Sequence, residues 1–215
     1  MNLPFTTEQF LGVFEKYNLS VYPAQLVFFI LALTVTILTF VKFRGAGKIF
    51  SSVLALFWIW MGAVYHIIFF AAINKPAYLF GVLFIFQGGL FIYEGIIKKN
   101  LSFEFKFSFY SVSGLVLIVY ALLIYPVLGY LSGHTYPKAP AFGLPCPTTI
   151  FTLGLLLSSA SRVRLYILAV PFLWSLIGAS AAFKLGIKED FGLLAAGILT
   201  LVLTIVRNKQ IASSN

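Results

Sequence analysis

The chain has one cysteine and two histidines, and the cysteine stands in its most unusual stretch. Residues 133–149 read Gly-His-Thr-Tyr-Pro-Lys-Ala-Pro-Ala-Phe-Gly-Leu-Pro-Cys-Pro-Thr-Thr, with Pro137, Pro140, Pro145 and Pro147 close together. A residue before proline is pushed away from helical geometry, so Leu144 and Cys146 are expected to be extended, and Pro147 suits the first turn of a helix. Cys146 would then sit at a helix amino terminus with Thr148 and Thr149 in the first turn. Free amides and the positive dipole end there would favour an anion or a thiolate. The alternative is a plain kink whose thiol packs as a small apolar group.

His66 and Glu94 are the main ionisable residues inside apolar segments, where burying a charge is costly and each such residue suggests a function. Trp58, Gly62 and His66 follow one another at helical spacing and share a face, with Tyr65 beside it. Gln87 and Glu94 are seven residues apart on the next segment and also share a face. Two simpler readings stand beside these: a neutral His66 hydrogen-bonded across helices, and a Glu94–Lys98 ion pair at i, i+4. Together the residues predict an outward-facing pocket lined by Cys146, Thr148, Thr149, His66, Tyr65 and His134, with Gln25 near it. Trp58 forms its floor and Gln87 is a further candidate solute ligand. A thiolate with an imidazole nearby would suit a soft metal such as Cu(I). Two histidines supply no zinc site without carboxylate help, so the metal is left open and no cofactor is expected.

The elements that must position these residues are apolar helices. Of 215 residues, 60% are hydrophobic, 18% aromatic and 10% charged, against about 25% charged in an ordinary soluble domain. This excludes a water-soluble globular protein. The formal net charge of +9 would suggest nucleic acid in a soluble chain. Here the basic residues fall between apolar segments, where they set orientation and meet anionic lipid headgroups; no nucleic-acid role is implied.

The spacing predicts an all-α, polytopic integral membrane protein with seven transmembrane helices. The spans run approximately over Val21 to Val41, Phe50 to Ala72, Ala77 to Ile97, Phe107 to Leu131, Ala141 to Ala160, Leu165 to Phe183 and Ile187 to Val206. The fifth and seventh are short or interrupted at their outer ends, which leaves a six-span alternative. Ten basic residues lie on the side of Lys42, Lys98, Arg162 and Arg207, and five on the other, so the amino terminus is expected outside and the carboxyl terminus in the cytoplasm. Gly81, Gly88 and Gly95 recur every seven residues and predict close helix packing, as do Ser175, Gly178, Ala179 and Ala182.

Residues 1–20 read as a short amphipathic helix at the membrane interface, preceding the seven-helix domain of 21–206 and a cytoplasmic tail of 207–215. The first residues are too polar and too poor in basic residues for a signal peptide. Thr6 and Gln9 fit a capping box, with Phe5 placed to staple against Phe10. Phe10, Leu11, Phe14 and Tyr17 form an apolar stripe that would face either lipid or the ends of the bundle.

Several of these segments carry a resemblance: Pro4-Phe5-Thr6 with Glu8-Gln9-Phe10, the run Trp58 to His66, Gly133-His134 to Thr149, Leu173 to Gly178, and Glu189-Asp190. The chain resembles an uncharacterised family of bacterial multi-spanning membrane proteins, a domain of unknown function, with Pro-Cys-Pro-Thr-Thr as its most specific part. The resemblance implies a multi-pass protein of the bacterial cytoplasmic (inner) membrane and implies no activity. A retinal protein is excluded, because Phe191 to Val206 holds no lysine for a Schiff base.

Three functions remain open. The first is a transporter or channel-like protein that takes a small solute or ion at the Pro-Cys-Pro break, since a broken helix aimed at a substrate is a recurrent transporter device. The second is a non-catalytic sensor or assembly protein. The third is an intramembrane enzyme with Cys146 as nucleophile and a histidine as base. The bilayer and the solute are the expected partners, and the oligomeric state is undetermined.

Overall fold

A computed structural model describes residues 4–213; residues 1–3 of the amino-terminal segment and 214–215 of the tail lie outside the described residues. Eight helices follow one another: α1 (Thr7–Val21), α2 (Ala24–Leu38), α3 (Ala46–Ala72), α4 (Ala77–Ile97), α5 (Phe109–Leu131), α6 (Pro145–Leu157), α7 (Leu165–Leu185) and α8 (Lys188–Ser213). Among the described residues no β-sheet forms; Phe103 and Ser159 make an isolated antiparallel bridge. The chain is all-α. Helices α3, α4, α5, α7 and α8 are long and apolar enough to cross a membrane.

The other three helices depart from the expected pattern. α2 has 15 residues and meets α1 at a bend of 86°, so this pair counts at most as one broken span. The seventh expected span, read as short or interrupted at its outer end, opens with a 3-10 turn over Lys188–Asp190 and continues as the long helix α8. α5, the fourth expected span, starts at Phe109, where the Ser108 side chain accepts from the Ser111 amide, two residues beyond the expected boundary.

α6 has 13 residues, about 20 Å at 1.5 Å per residue, and every one but Cys146 is buried. A helix apolar all round is stable only when enclosed, and α6 is enclosed by α3, α5, α7 and α8. Of its irregular flanks, Pro140 with residues 142–144 and residues 158–159 are buried, the condition under which non-helical backbone is tolerated at depth, whereas most of 132–138 and both Arg162 and Arg164 are exposed.

The predicted glycine contacts form. On α4, Gly81 meets Gly62 and Ile67, Gly88 meets Ala55 and Ile59, and Gly95 meets Ser51, so the seven-residue repeat seats α4 on α3. On α7, Ser175 presses against Gly197 and Gly178 against Leu193 of α8. The turns of α3, α4 and α5 widen to π-helical over Met61–Phe69, Ile92–Ile97 and Tyr120–Ile124, a feature associated with functional positions.

At the amino terminus the capping box forms as expected, with Thr6 accepting from the Gln9 amide and Gln9 accepting from the Thr6 amide at 2.9 Å. Phe5 stacks on Phe10 at 5.7 Å between ring centroids. The apolar stripe is covered by protein: Phe10, Phe14 and Tyr17, joined by Val13, pack with Tyr65, Phe70 and Leu144, and Leu11 is partly buried against them. Thr6→Ala is expected to cost about 1 kcal/mol of local stability, read as faster hydrogen exchange in α1 with no change in α4.

Candidate functional site

The site is built where α6 begins. Leu144 is extended, at φ −85° and ψ 156°, and caps a helix that starts at Pro145. Cys146 is thus helical, which corrects the expectation that it is extended. Prolines fit the first turn because their missing N–H groups have no intrahelical partner there. That choice has a chemical consequence. Pro145 and Pro147 offer no amide, and the Thr148 amide bonds to the Leu144 carbonyl. Only the Cys146 amide is left free, so this terminus is a poor anion site, contrary to the sequence expectation.

The bend ahead of α6 is held by a buried polar chain. Gly143 adopts φ +98°, and a side chain there would strike Phe28. Its amide donates to Thr148 Oγ1 at 3.1 Å, and its carbonyl accepts from Tyr17 Oη at 3.2 Å. Trp60 Nε1 donates to that Tyr17 hydroxyl at 2.8 Å. Further along, Trp58 Nε1 donates to Thr152 Oγ1 at 3.0 Å, and Thr152 donates to the Thr148 carbonyl at 2.8 Å. Thr148 is therefore occupied in holding the bend ahead of α6, and Trp58 in fastening α3 to α6 through Thr152.

Cys146 faces a cavity of about 210 Å³. Its walls are aromatic and apolar, including Phe10, Phe14, Tyr65, Phe70 and Phe80, and α1 closes one side. Three polar groups meet at its base: the Cys146 thiol, the Asp190 carboxyl and the Trp174 indole. The thiol lies beside the Asp190 carboxyl. Tyr125 Oη donates to Asp190 Oδ1 as well. The Trp174 N–H lies beside the thiol and has no acceptor among the described residues. Behind Asp190, the fully buried Glu189 accepts or shares a proton with His134 Nδ1 at 2.7 Å, while Tyr120 Oη donates to the Glu189 carbonyl at 2.7 Å.

Of the residues expected at the pocket, Cys146 and Tyr65 line the cavity, and His66, Trp58, Gln87, His134, Thr148, Thr149 and Gln25 do not. His66 lies behind the wall, edge-on to Phe84 at 4.5 Å and Trp174 at 5.0 Å, with neither ring nitrogen hydrogen-bonded. The expectation of a cross-helix hydrogen bond for His66 is not met. Gln87 Nε2 donates to the Ile167 carbonyl at 2.9 Å, tying α4 to α7. Thr149 is buried with its hydroxyl unpartnered. Gln25 binds Asn18, with Nε2 to the carbonyl at 2.8 Å, and does not reach the cavity. His134 pairs with Glu189 one layer behind.

Glu189 and Asp190 stand together at a helix start, where acidic residues are favourable by the helix dipole alone. They are buried, because α5 and α6 supply Tyr120, Tyr125 and Cys146 as partners. Tyr125 and Trp174 gave no signal beyond their type. No group of three His, Cys, Asp or Glu residues among the described residues is arranged to hold a metal ion.

Glu94 also departs from its expected partner. It accepts from Tyr166 Oη and from Asn100 Nδ2, the latter at 2.8 Å, and Arg164 Nε lies 3.5 Å away. Lys98 instead sits over the Tyr93 ring at 5.5 Å.

Comparison with known proteins adds one relation: a model described as a family of unknown function (DUF6064) matches residues 7–214. No curated protein and no solved structure matches the chain.

Proposed function

We propose a function for a chain that belongs to this family of unknown function: a transporter or channel-like protein of the bacterial inner membrane that binds a small solute at the Pro-Cys-Pro start of α6. In this reading seven segments lie in the bilayer, α2 to α8, with α1 at the outer interface. The ten basic residues of the opposite end hold that end in the cytoplasm. The cavity then opens outward.

The observation that carries the reading is the convergence of a thiol, a carboxyl and an unpartnered indole N–H on an aromatic-walled cavity. A largely apolar pocket with a few convergent polar groups is the usual form of a small-molecule site. Its chemistry selects a solute with an apolar or aromatic body and one cationic or hydrogen-bonding end. Aromatic faces attract organic cations, and Asp190 supplies the opposite charge. The enzyme alternative has less support, since the groups beside Cys146 are a carboxyl and an indole, and an acyl-transfer nucleophile needs a base such as imidazole.

The test uses the only thiol. Intact cells are treated with the trimethylammonium-ethyl and the sulfonato-ethyl methanethiosulfonates, both membrane-impermeant, and modification of Cys146 is followed by mass spectrometry. The cationic reagent is expected to react faster than the anionic one by about tenfold, the range in which a charged cleft focuses ions. Asp190→Asn should collapse that ratio. Modification only after denaturation would overturn the outward pocket, and an unchanged ratio in Asp190→Asn would overturn the cation preference. Either result moves the reading to a sensor or assembly role.

A further inference from the structure

A second cleft lies at the opposite end of the bundle, independent of the cavity at Cys146. It has a volume of about 860 Å³ and is formed by the turn between α6 and α7, the end of α4 and the last turns of α8. We infer that this cleft binds the phosphate headgroup of an anionic phospholipid.

Charge comes first. Arg162, Arg164 and Lys209 line the cleft, and no carboxylate among the described residues does. Arg162 and Lys209 have no acidic partner among the described residues. The one acid close by, Glu94, lies beneath the lining with its side chain wholly covered and is already engaged by Tyr166 and Asn100. It meets Arg164 through Nε, so the terminal nitrogens of that guanidinium remain for another anion. A planar guanidinium with free terminal nitrogens matches phosphate oxygens in pairs.

The cations are held on a prepared frame. Ser161 Oγ donates to the Asn100 carbonyl at 2.6 Å and accepts from the Ser102 amide at 3.2 Å. Arg207 donates to the carbonyls of Leu157 at 3.2 Å and Ser161 at 3.3 Å. Asn208, itself buried, donates to the Val163 carbonyl at 2.7 Å. Bonds from α8 and from the chain that follows α4 thus fasten the short turn bearing Arg162 and Arg164. Little conformational entropy is left to lose on binding, which favours affinity.

The lining chooses the source of the phosphate. Leu165, Ile205 and Ala212 share the cleft with the cations, and Leu165 and Tyr166 are exposed large side chains at the start of a long apolar helix. A cationic recess whose rim continues into an apolar helix face fits a headgroup with its acyl chains attached. Free phosphate would use only the first half of it. Basic pockets between spans are a recurrent form of headgroup site.

The experiment is native mass spectrometry of the purified full chain in detergent. Phosphatidylglycerol, phosphatidylcholine and glycerol phosphate are added in turn. One phosphatidylglycerol is expected to remain bound per chain, with phosphatidylcholine and glycerol phosphate both lost. Arg162→Gln with Arg164→Gln and Lys209→Gln should reduce that retention at least about tenfold, as expected when several phosphate contacts are removed together. Lys42→Gln with Lys48→Gln and Lys106→Gln, three cations of the same end outside this cleft, should leave it unchanged. The double variant Arg162→Gln with Lys209→Gln removes no side-chain bond among the described residues and keeps the test readable if the triple variant misfolds. Equal losses in the two triple variants would overturn the site in favour of diffuse charge. Glycerol phosphate held as firmly as the lipid would overturn the lipid assignment, and no retained lipid would overturn the proposal.

Discussion

Gly154→Val is expected to give little folded protein, and Gly154→Ala a clearly destabilised one. A β-carbon at Gly154 would lie 2.6 Å from the Gly114 carbonyl oxygen and 3.0 Å from both Leu117 Cβ and Ile118 Cγ1. The reciprocal approach is as tight, since a β-carbon at Gly114 would lie 2.4 Å from the Gly154 carbonyl oxygen. Backbone meets backbone here, so no side chain can swing aside. α5 and α6 must part, and overpacking of this kind costs about 1–3 kcal/mol for a single methyl. Because α6 is enclosed on all sides, its displacement would also disturb α3, α7 and α8. The measurement is the midpoint of thermal aggregation of purified variants in detergent. Gly114→Ala and Gly154→Ala should be strongly non-additive, since the first parts the helices that the second would part again. Gly12→Ala and Gly89→Ala, where a β-carbon would meet nothing within 4 Å, should leave the midpoint close to that of the parent. Equal losses at all four positions would exclude the crossing as the cause.

Glu94→Ala is expected to cost about 3 kcal/mol, since it removes two hydrogen bonds to a carboxylate, each of the order of 1.5–3 kcal/mol, and one ion-pair partner. Tyr166, Asn100 and Arg164 lose a shared acceptor. Their partial exposure to solvent limits the loss, because water can replace part of what is removed. Glu94→Gln keeps the volume and one acceptor oxygen and should recover about half of it. Lys98→Ala provides the discriminating control. If the carboxylate were held by its own helix at i, i+4, Lys98→Ala would reproduce a good part of the loss; with Lys98 over Tyr93, it should leave the thermal midpoint nearly unchanged. A Glu94→Ala protein as stable as its parent would show that α4 and α7 are not joined through this carboxylate.

What the two predictions share is a contact between segments distant in sequence, and this marks the limit of what could be read from the residues alone. Local features were legible. The Thr6–Gln9 capping box, the Phe5–Phe10 stack and the seven-residue glycine repeat of α4 depend on spacing within one helix, and each is present in the structure. The unusual character of the Pro-Cys-Pro stretch was legible too, because proline constrains its own neighbours whatever surrounds it. Its helix starts at Pro145, two residues earlier than read, since the rule for residues before proline is a steric preference that the first helical turn can absorb.

The membership of the site was not legible. His66, Trp58, Gln87, His134, Thr148 and Thr149 are polar or aromatic residues in apolar segments, and the sequence marks such residues as costly to bury without saying what offsets the cost. In the structure Thr152, the Ile167 carbonyl, Glu189 and the Gly143 amide each bond one of Trp58, Gln87, His134 and Thr148, which turns candidate ligands into fasteners. Asp190 went the other way. At a helix start its charge is explained by the dipole alone, and only the packing of α5 and α6 against α8 brings Tyr125 and Cys146 to it.

The sequence by itself determined an all-helical chain with several apolar helices, an amphipathic amino-terminal helix and a basic bias toward one end, because hydropathy, periodicity and charge act along the chain. Tertiary structure decided that α6 is a short enclosed helix, that the thiol meets a carboxyl, and that three cations share one cleft. Those outcomes depend on which helix faces meet, and that is settled by the fit of side chains across helices that no local spacing encodes.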